Sequence, residues 1–339
     1  MKGKNHIKIL LSFFLCLLLL MTQTSCSKGE KVEDTGFYLD TTCTIEIDNM
    51  SKKDGMDLIE NTFKECDKYE HLFSRTLEGS DIYRINHAKG DKVQVSDETL
   101  EVIEDALVIC KESNGLFDIT VGQLTNLWNF SSDTPKVPSQ SSIDKALKTI
   151  DYNNIIIEGN TVQLKNPDTW LELGAIAKGY IADQLAAYLK DNGVTSGLVN
   201  LGGNIVTIGQ SNNGDDPWNI GIAAPYTHHE DVIGSVYMVD ETLVTSGVYE
   251  RFFEENGKKY HHVLNPKTGY PVDTDILGIS IKGKSSNSTW CDGYSTTCLL
   301  LGSEKAQEYM KNKSDFSYVI ITTDGKVKEY NNFELRAIE

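Results

Sequence analysis

The chain has 339 residues, 49 of them acidic and 32 basic, and a formal charge of −17. A body this negative repels nucleic acid and anionic membrane surfaces, so any phosphate-bearing ligand needs local lysines, helix ends or a metal. The length suits one large domain or two intertwined layers.

Residues 1–25 read as an export signal. Lys2, Lys4 and Lys8 form a positive start, and residues 9–21 are apolar with only Ser12 interrupting, shorter than the ~20 residues that span a bilayer. Thr24-Ser25 before Cys26 are the small residues of a lipoprotein-type signal, although Gln23 stands where leucine is preferred; ordinary cleavage nearby, with Cys26 a bystander, is the alternative. Residues 26–36 are then a polar tether and residues 37–335 a single domain. Loss of the leader's three lysines takes the charge from −17 to −20. The remaining cysteines, Cys43, Cys66, Cys110, Cys291 and Cys298, are odd in number and lack CxxC spacing. That argues against a disulfide framework and against a zinc site, and for buried free thiols.

Residues 37–47 alternate and are rich in β-formers, which predicts a strand. Residues 54–73 predict an amphipathic helix with Met56, Ile59, Phe63 and Cys66 on one face. Ser96 caps a second helix, carrying Leu100, Ile103, Leu107 and Cys110, that stops at Gly115. Phe117-Asp118-Ile119-Thr120 leads into a third through Trp128; residues 131–142 form a surface loop and 143–150 a short helix. Residues 155–157 and 162–164 pair around Gly159-Asn160 as a hairpin.

Residues 171–187, LELGAIAKGYIADQLAA, organise the chain. Leu171 and Leu173 alternate with Glu172, which predicts a strand; from Ala175 the spacing turns helical through Leu189. Gly174 and Gly179 allow close backbone approach, and Lys178 adds charge where a helix start already suits an anion. A packing junction with a solvated lysine is the plainer alternative. Next come a buried strand with a glycine turn at Gly202-Gly203, which lacks dinucleotide-fold spacing, and strands at 219–223, 234–239, 243–248 and 260–264. Residues 265–269 predict a tight turn, 277–282 a strand, 288–301 and 304–311 helices, and 318–322 with 327–330 a closing hairpin. Many strands follow one another without helices, so the fold class is α+β.

Asp292 and Thr296 stand at i, i+4 on one predicted helix face, a carboxylate beside a hydroxyl. Such hard oxygens suit Mg²⁺, with Ca²⁺ possible, rather than zinc; a dipole-facing aspartate with a back-bonded threonine is the alternative. His262 is a candidate general base, whereas His261 reads as a solvated strand residue. Ser246 has no GxSxG elbow, which disfavours a hydrolase nucleophile.

FDIT, LELGAIAKGYIAD, NLGGNI, TSGVYER, HHVLNPKTGYPV and DGYST, in that order, resemble the ApbE family of FAD:protein FMN transferases. The resemblance covers essentially everything from Phe37 to the last hairpin. It implies a T-fold-like α+β domain of mostly antiparallel sheets flanked by helices, which uses FAD as substrate and needs Mg²⁺. It implies transfer of the FMN half of FAD to a threonine hydroxyl of an acceptor flavoprotein, a subunit of a membrane redox complex, with release of AMP. By resemblance Asp292, Thr296 and the Ala175 carbonyl hold the metal. Leu39, Thr76, Leu116, Phe117, Asp118, Glu172, Lys178 and Val263 line the FAD site. Within these motifs His262 is the best candidate for the base that activates the threonine, Asp118 and Glu172 are alternative bases, and a hydrogen bond from His262 to the flavin or a strand carbonyl is the plainer reading. Three positions depart from the family pattern: Glu172 replaces aspartate, Leu39-Asp40 replaces Met-Gly, and Cys291 replaces alanine. The expected location is outside the cytoplasm, lipid-anchored at the outer face of the cytoplasmic membrane or in the periplasm, with no nucleic-acid partner. An FAD pyrophosphatase, with water as nucleophile, and a non-enzymatic flavin-binding lipoprotein are the competing expectations.

Overall fold

The computed structural model describes residues 30–211, 216–225 and 231–337; the predicted export signal and Cys26 lie outside them. Strands β1 (Glu30–Tyr38) and β2 (Thr41–Met50) form an antiparallel hairpin rather than one strand over 37–47. The chain reverses at Leu39 and Asp40, both with φ of +56°, as a two-residue hairpin turn requires. Residues 30–36, read from the sequence as tether, are therefore sheet, and Val32 is buried.

Helices α1 (Lys52–Phe73), α2 (Asp81–His87) and α3 (Asp97–Glu112) each start on a serine whose hydroxyl accepts a first-turn N–H: Ser51, Ser80 and Ser96. Between α2 and α3 lies β3 (Val93–Gln94), which joins β4 (Ile155–Glu158) and β5 (Thr161–Leu164) in a small sheet. Helices α4 (Gly122–Trp128) and α5 (Gln140–Leu147) precede it. The long helix α6 (Ala177–Asp191) leads to β6 (Gly197–Leu201) and β7 (Asn204–Ile208), then a ribbon of β8 (Trp218–Ala223) and β9 (Val232–Met238). After β10 (Glu241–Gly247), β11 (Phe252–Glu255) and β12 (Lys258–His261) form a second ribbon. The chain closes with β13 (Ile276–Lys284), α7 (Ser288–Leu301), α8 (Ser303–Met310), β14 (Ser317–Thr322) and β15 (Val327–Tyr330).

One eight-stranded antiparallel sheet, ordered β1-β2-β6-β7-β10-β13-β14-β15, carries the fold. Alternation along its strands sorts side chains to two faces. Val199, Val206, Val244 and Ile320 join the main core beneath α1, α6 and α7, while Leu198, Ile205, Leu243 and Val319 point the other way, onto the β8–β9 ribbon. A third cluster around Trp128 packs α4 and α5 beneath the β11–β12 ribbon. This is the α+β arrangement of mostly antiparallel sheets flanked by helices that the sequence predicts. The five cysteines are free and buried, and burial pushes the Cys43 thiol up to about 11 and Cys66 to about 12. Thiols this reluctant to ionise are packing groups.

Candidate active site

Residues 171–173 are extended but belong to no strand, because other partners take their hydrogen bonds. The Asn86 amide receives the Leu171 N–H (2.6 Å) and donates to the Leu171 carbonyl (3.0 Å), and the Glu172 N–H donates to Ile119 O (2.8 Å). The Glu172 side chain takes the exposed Gly174 N–H (2.9 Å) and pairs with Arg75 (2.5 Å). A tight turn through Gly174 and Ala175 then starts α6, with Ile176 and Ala177 N–H groups both on Leu173 O.

Helix α6 crosses α7 at a glycine. A Cβ on Gly179 would lie 2.2 Å from Ser288 O and 2.8 Å from Asp292 Cβ, so only glycine permits this approach. There the Gly179 N–H donates to Asp292 Oδ2 (2.9 Å). The alternative sequence reading of Asp292 and Thr296 as dipole acid and back-bonded hydroxyl fails on two counts. The hydroxyls that bond back to the helix are those of Ser295, to Asp292 O (2.8 Å), and Thr297, to Gly293 O (2.8 Å), and the carboxylate at the start of α7 is Asp183, reaching across from α6. Asp183 accepts from Ser288 N (3.0 Å), Thr289 N (2.9 Å) and Thr289 Oγ1 (2.8 Å); burial nevertheless pushes its carboxyl up to about 6.

From this crossing starts a ring of neighbouring residues, most of them linked by hydrogen bonds. Ser295, between the two α7 residues, donates to Asp292 O (2.8 Å) and meets the Ser246 hydroxyl (2.7 Å) on β10. Next to it the Thr245 N–H donates to Gly203 O (3.2 Å), and the neighbouring Gly202 N–H donates to Thr42 O (3.0 Å). In the β1–β2 turn just before it, Asp40 O accepts from Arg251 Nη2 (3.1 Å). Arg251 O in turn accepts from the His262 N–H (3.0 Å) and lies 3.3 Å from His262 Nδ1. A carbonyl only accepts, so Nδ1 carries the proton and Nε2 keeps its lone pair. Partial burial, opposed by the hydrogen bond to the Arg251 carbonyl and reinforced by the charges of Arg251, His261 and Lys178, pushes the His262 pKa down to about 4, so the ring is neutral at pH 7. Lys178, the next residue to Gly179, acts on His262 electrostatically, and that influence returns the ring to its start.

The remaining expected residues are not links in this ring. Phe117 and Asp118 are buried, with Leu116 half-buried beside them. Asp118 accepts from Thr120 N (2.9 Å), Thr120 Oγ1 (2.6 Å) and Tyr152 N (3.1 Å); burial raises its pKa while these donors and Lys267 oppose the rise. With both oxygens engaged, its side chain braces the loop, and Glu172, paired with Arg75, is equally committed. Val263 is buried beside His262, Leu39 is half-buried in the hairpin turn, and Thr76 is exposed beside Arg75. His261, expected to be solvated, is instead half-buried, with Nε2 on Val272 O (3.0 Å), and burial lowers its pKa.

The donors at the α6–α7 crossing fit a hard divalent cation. One carboxylate oxygen of Asp292 is held by Gly179, leaving Oδ1 without a hydrogen bond among the described residues, and Thr296 is only partly buried beside it. Among the described residues no three His, Cys, Asp or Glu side chains gather to hold a metal. A single carboxylate with a hydroxyl and a carbonyl matches the way Mg²⁺ is bound when substrate phosphates supply the other oxygens.

The model of the ApbE family matches residues 39–320, most of the chain and all the elements of the ring. The chain belongs to the ApbE family. It is 33% identical over 268 residues to an FAD:protein FMN transferase of Klebsiella pneumoniae, covering 78% of this chain and 82% of the relative. A Treponema pallidum FAD:protein FMN transferase is 31% identical, with 90% and 89% covered. Among solved structures, the ApbE protein of Thermotoga maritima superposes with a TM-score of 0.83 at 29% identity, covering 91% of this chain and all of that one. The flavin transferase ApbE of Vibrio cholerae gives 0.76 at 28% identity, with 89% and 96% covered.

This ApbE chain also shows what single-sequence reasoning overlooks. Arg75, Arg251, Asp183 and Asn86 all organise the site, and each acts on a residue far away in sequence. Asp183 alone left a local trace, standing one helical turn after Gly179 on the same face.

Proposed function

We propose that this chain transfers the FMN half of FAD to a threonine hydroxyl of an acceptor protein and releases AMP, with Mg²⁺ at Asp292, Thr296 and the Ala175 carbonyl. The observation that carries this is the ring of neighbouring residues: motifs scattered from residue 40 to residue 295 are linked by hydrogen bonds, with Lys178 close enough to act on His262. Cationic Lys178 and Arg251 belong to that ring in a chain whose net charge is −17. These two cations suit a pyrophosphate.

His262 Nε2 faces the reaction unprotonated and takes the proton of the acceptor hydroxyl as its oxygen bonds to the FMN phosphorus. The phosphorus–oxygen bond to AMP breaks, and AMP leaves with the electron pair. Lys178 and the N-terminal end of α6 hold the phosphate oxygens, and the Glu172–Arg75 pair keeps the Gly174–Ala175 turn in shape. Mg²⁺, when bound, supplies neutralisation of the charge that develops on the pyrophosphate oxygens.

The acceptor is a flavoprotein subunit of a membrane redox complex, and the enzyme meets it as an exported lipoprotein anchored through Cys26. The test is AMP release from FAD in four mixtures, with and without acceptor and with and without chelator. Release that needs both acceptor and free Mg²⁺ supports transfer. Release without acceptor points to hydrolysis, and release in excess chelator removes the metal from the proposal.

A further inference from the structure

The two halves of the proposed metal site sit on different elements. The Ala175 carbonyl precedes α6, whereas Asp292 and Thr296 belong to α7, more than a hundred residues later. Their relative placement depends on how α7 is held against α6. The first residues of α7 have no side-chain cap of their own, since Asn287 makes none. Asp183 provides the cap from the neighbouring helix, with two backbone N–H groups and one hydroxyl on its carboxylate at 2.8–3.0 Å. One turn earlier on α6, the Gly179 N–H fixes Asp292 itself at 2.9 Å. Helix α6 therefore grips α7 at two points one turn apart, which sets both the axial position and the rotation of the helix that presents the metal ligands.

We propose that Asp183 is a positioning residue for the metal site: by tying the start of α7 to α6 it holds Asp292 and Thr296 in register with the Ala175 carbonyl. The inference rests on the metal reading given above. Asp183 touches neither ligand, so its loss leaves all three metal donors in the chain and moves them relative to one another. Groups that orient metal ligands in this way are worth about 10- to 100-fold in metal affinity. Loss of an ordinary helix cap lowers the melting temperature but leaves the affinity of the folded protein unchanged.

Asp183→Asn, which keeps the shape and one acceptor oxygen, and Asp183→Ala are compared with wild type and with Asp292→Ala. Mn²⁺ alone is titrated into each full-length protein and free Mn²⁺ is read by electron paramagnetic resonance; the Mg²⁺ dependence of AMP release is measured in parallel. Both Asp183 variants are expected to weaken Mn²⁺ binding at least ~10-fold, with AMP release recovering towards wild type at saturating Mg²⁺. Asp292→Ala is expected to lose binding altogether. If Asp183→Ala does not fold, Asp183→Asn carries the test. Wild-type Mn²⁺ affinity in a folded Asp183 variant, with Asp292→Ala binding none, overturns the role of Asp183 alone. Undiminished binding in Asp292→Ala overturns the metal site and this inference with it.

Discussion

Gly179→Ala tests the packing on which the site depends. The added methyl carbon would lie 2.2 Å from the Ser288 carbonyl oxygen and 2.8 Å from Asp292 Cβ. Neither neighbour is the free end of a flexible side chain, so α6 and α7 must part by about 1 Å to reach ordinary contact. That movement stretches the 2.9 Å bond from Gly179 N–H to the Asp292 carboxylate beyond hydrogen-bonding range. Overpacking costs about 1–3 kcal/mol, and the charged hydrogen bond is worth about 1.5–3. Alanine returns about 1 kcal/mol through its helix propensity. The expected net loss is about 2–4 kcal/mol, a fall of roughly 3–6 °C in melting temperature for a domain of this size. Differential scanning calorimetry measures the shift, and Mg²⁺-dependent AMP release should fall with it. A melting temperature equal to or above wild type, as propensity alone would give, refutes the tight crossing.

Other substitutions probe separate parts of the molecule. His262→Asn removes the proton acceptor and should slow FMN transfer at least ~100-fold with FAD affinity nearly unchanged, read by single-turnover kinetics and flavin fluorescence. Because His262 is held near 4, below its ordinary 6.5, kcat/KM should keep its value down to about pH 4 and fall below it; an acid limb centred near 6.5 would contradict the burial. The same depression makes stability decline as pH drops from 6.5 towards 4, since the unfolded chain takes up that proton first. Cys26→Ala should move the protein from the membrane to the soluble fraction, and unchanged fractionation would end the lipoprotein proposal. Asp40→Gly should raise stability by about 0.5–1 kcal/mol in a denaturant titration, because φ of +56° suits glycine and the Asp40 carbonyl bond to Arg251 is kept.

Much of this fold is legible where a local period is strong. The helix predicted at 288–301 is α7 to the residue, and the hairpin around Gly159-Asn160 forms as read. The β1–β2 turn escaped notice because Leu39-Asp40 has neither glycine nor asparagine, although both residues take the left-handed conformation. Phe252–Glu255 escaped for the opposite reason, since Asn256-Gly257 is a plain turn signal whose flanking strand is half charged. Leu171 and Leu173 alternate as a strand does, but the partners that claim this backbone, Asn86 and Ile119, cannot be found by periodicity. The site divides similarly. Asp292 and Thr296 are legible as an i, i+4 pair, while Asp183, Arg75 and Arg251 act on residues distant in sequence that only the tertiary fold brings near them.

The most direct measurement is the intact mass of the acceptor after incubation with FAD, Mg²⁺ and this protein, followed by peptide mapping of any adduct. Transfer predicts an acceptor heavier by one FMN less water, mapped to a threonine, with one AMP released per adduct. Free FMN and AMP beside an unmodified acceptor would contradict it.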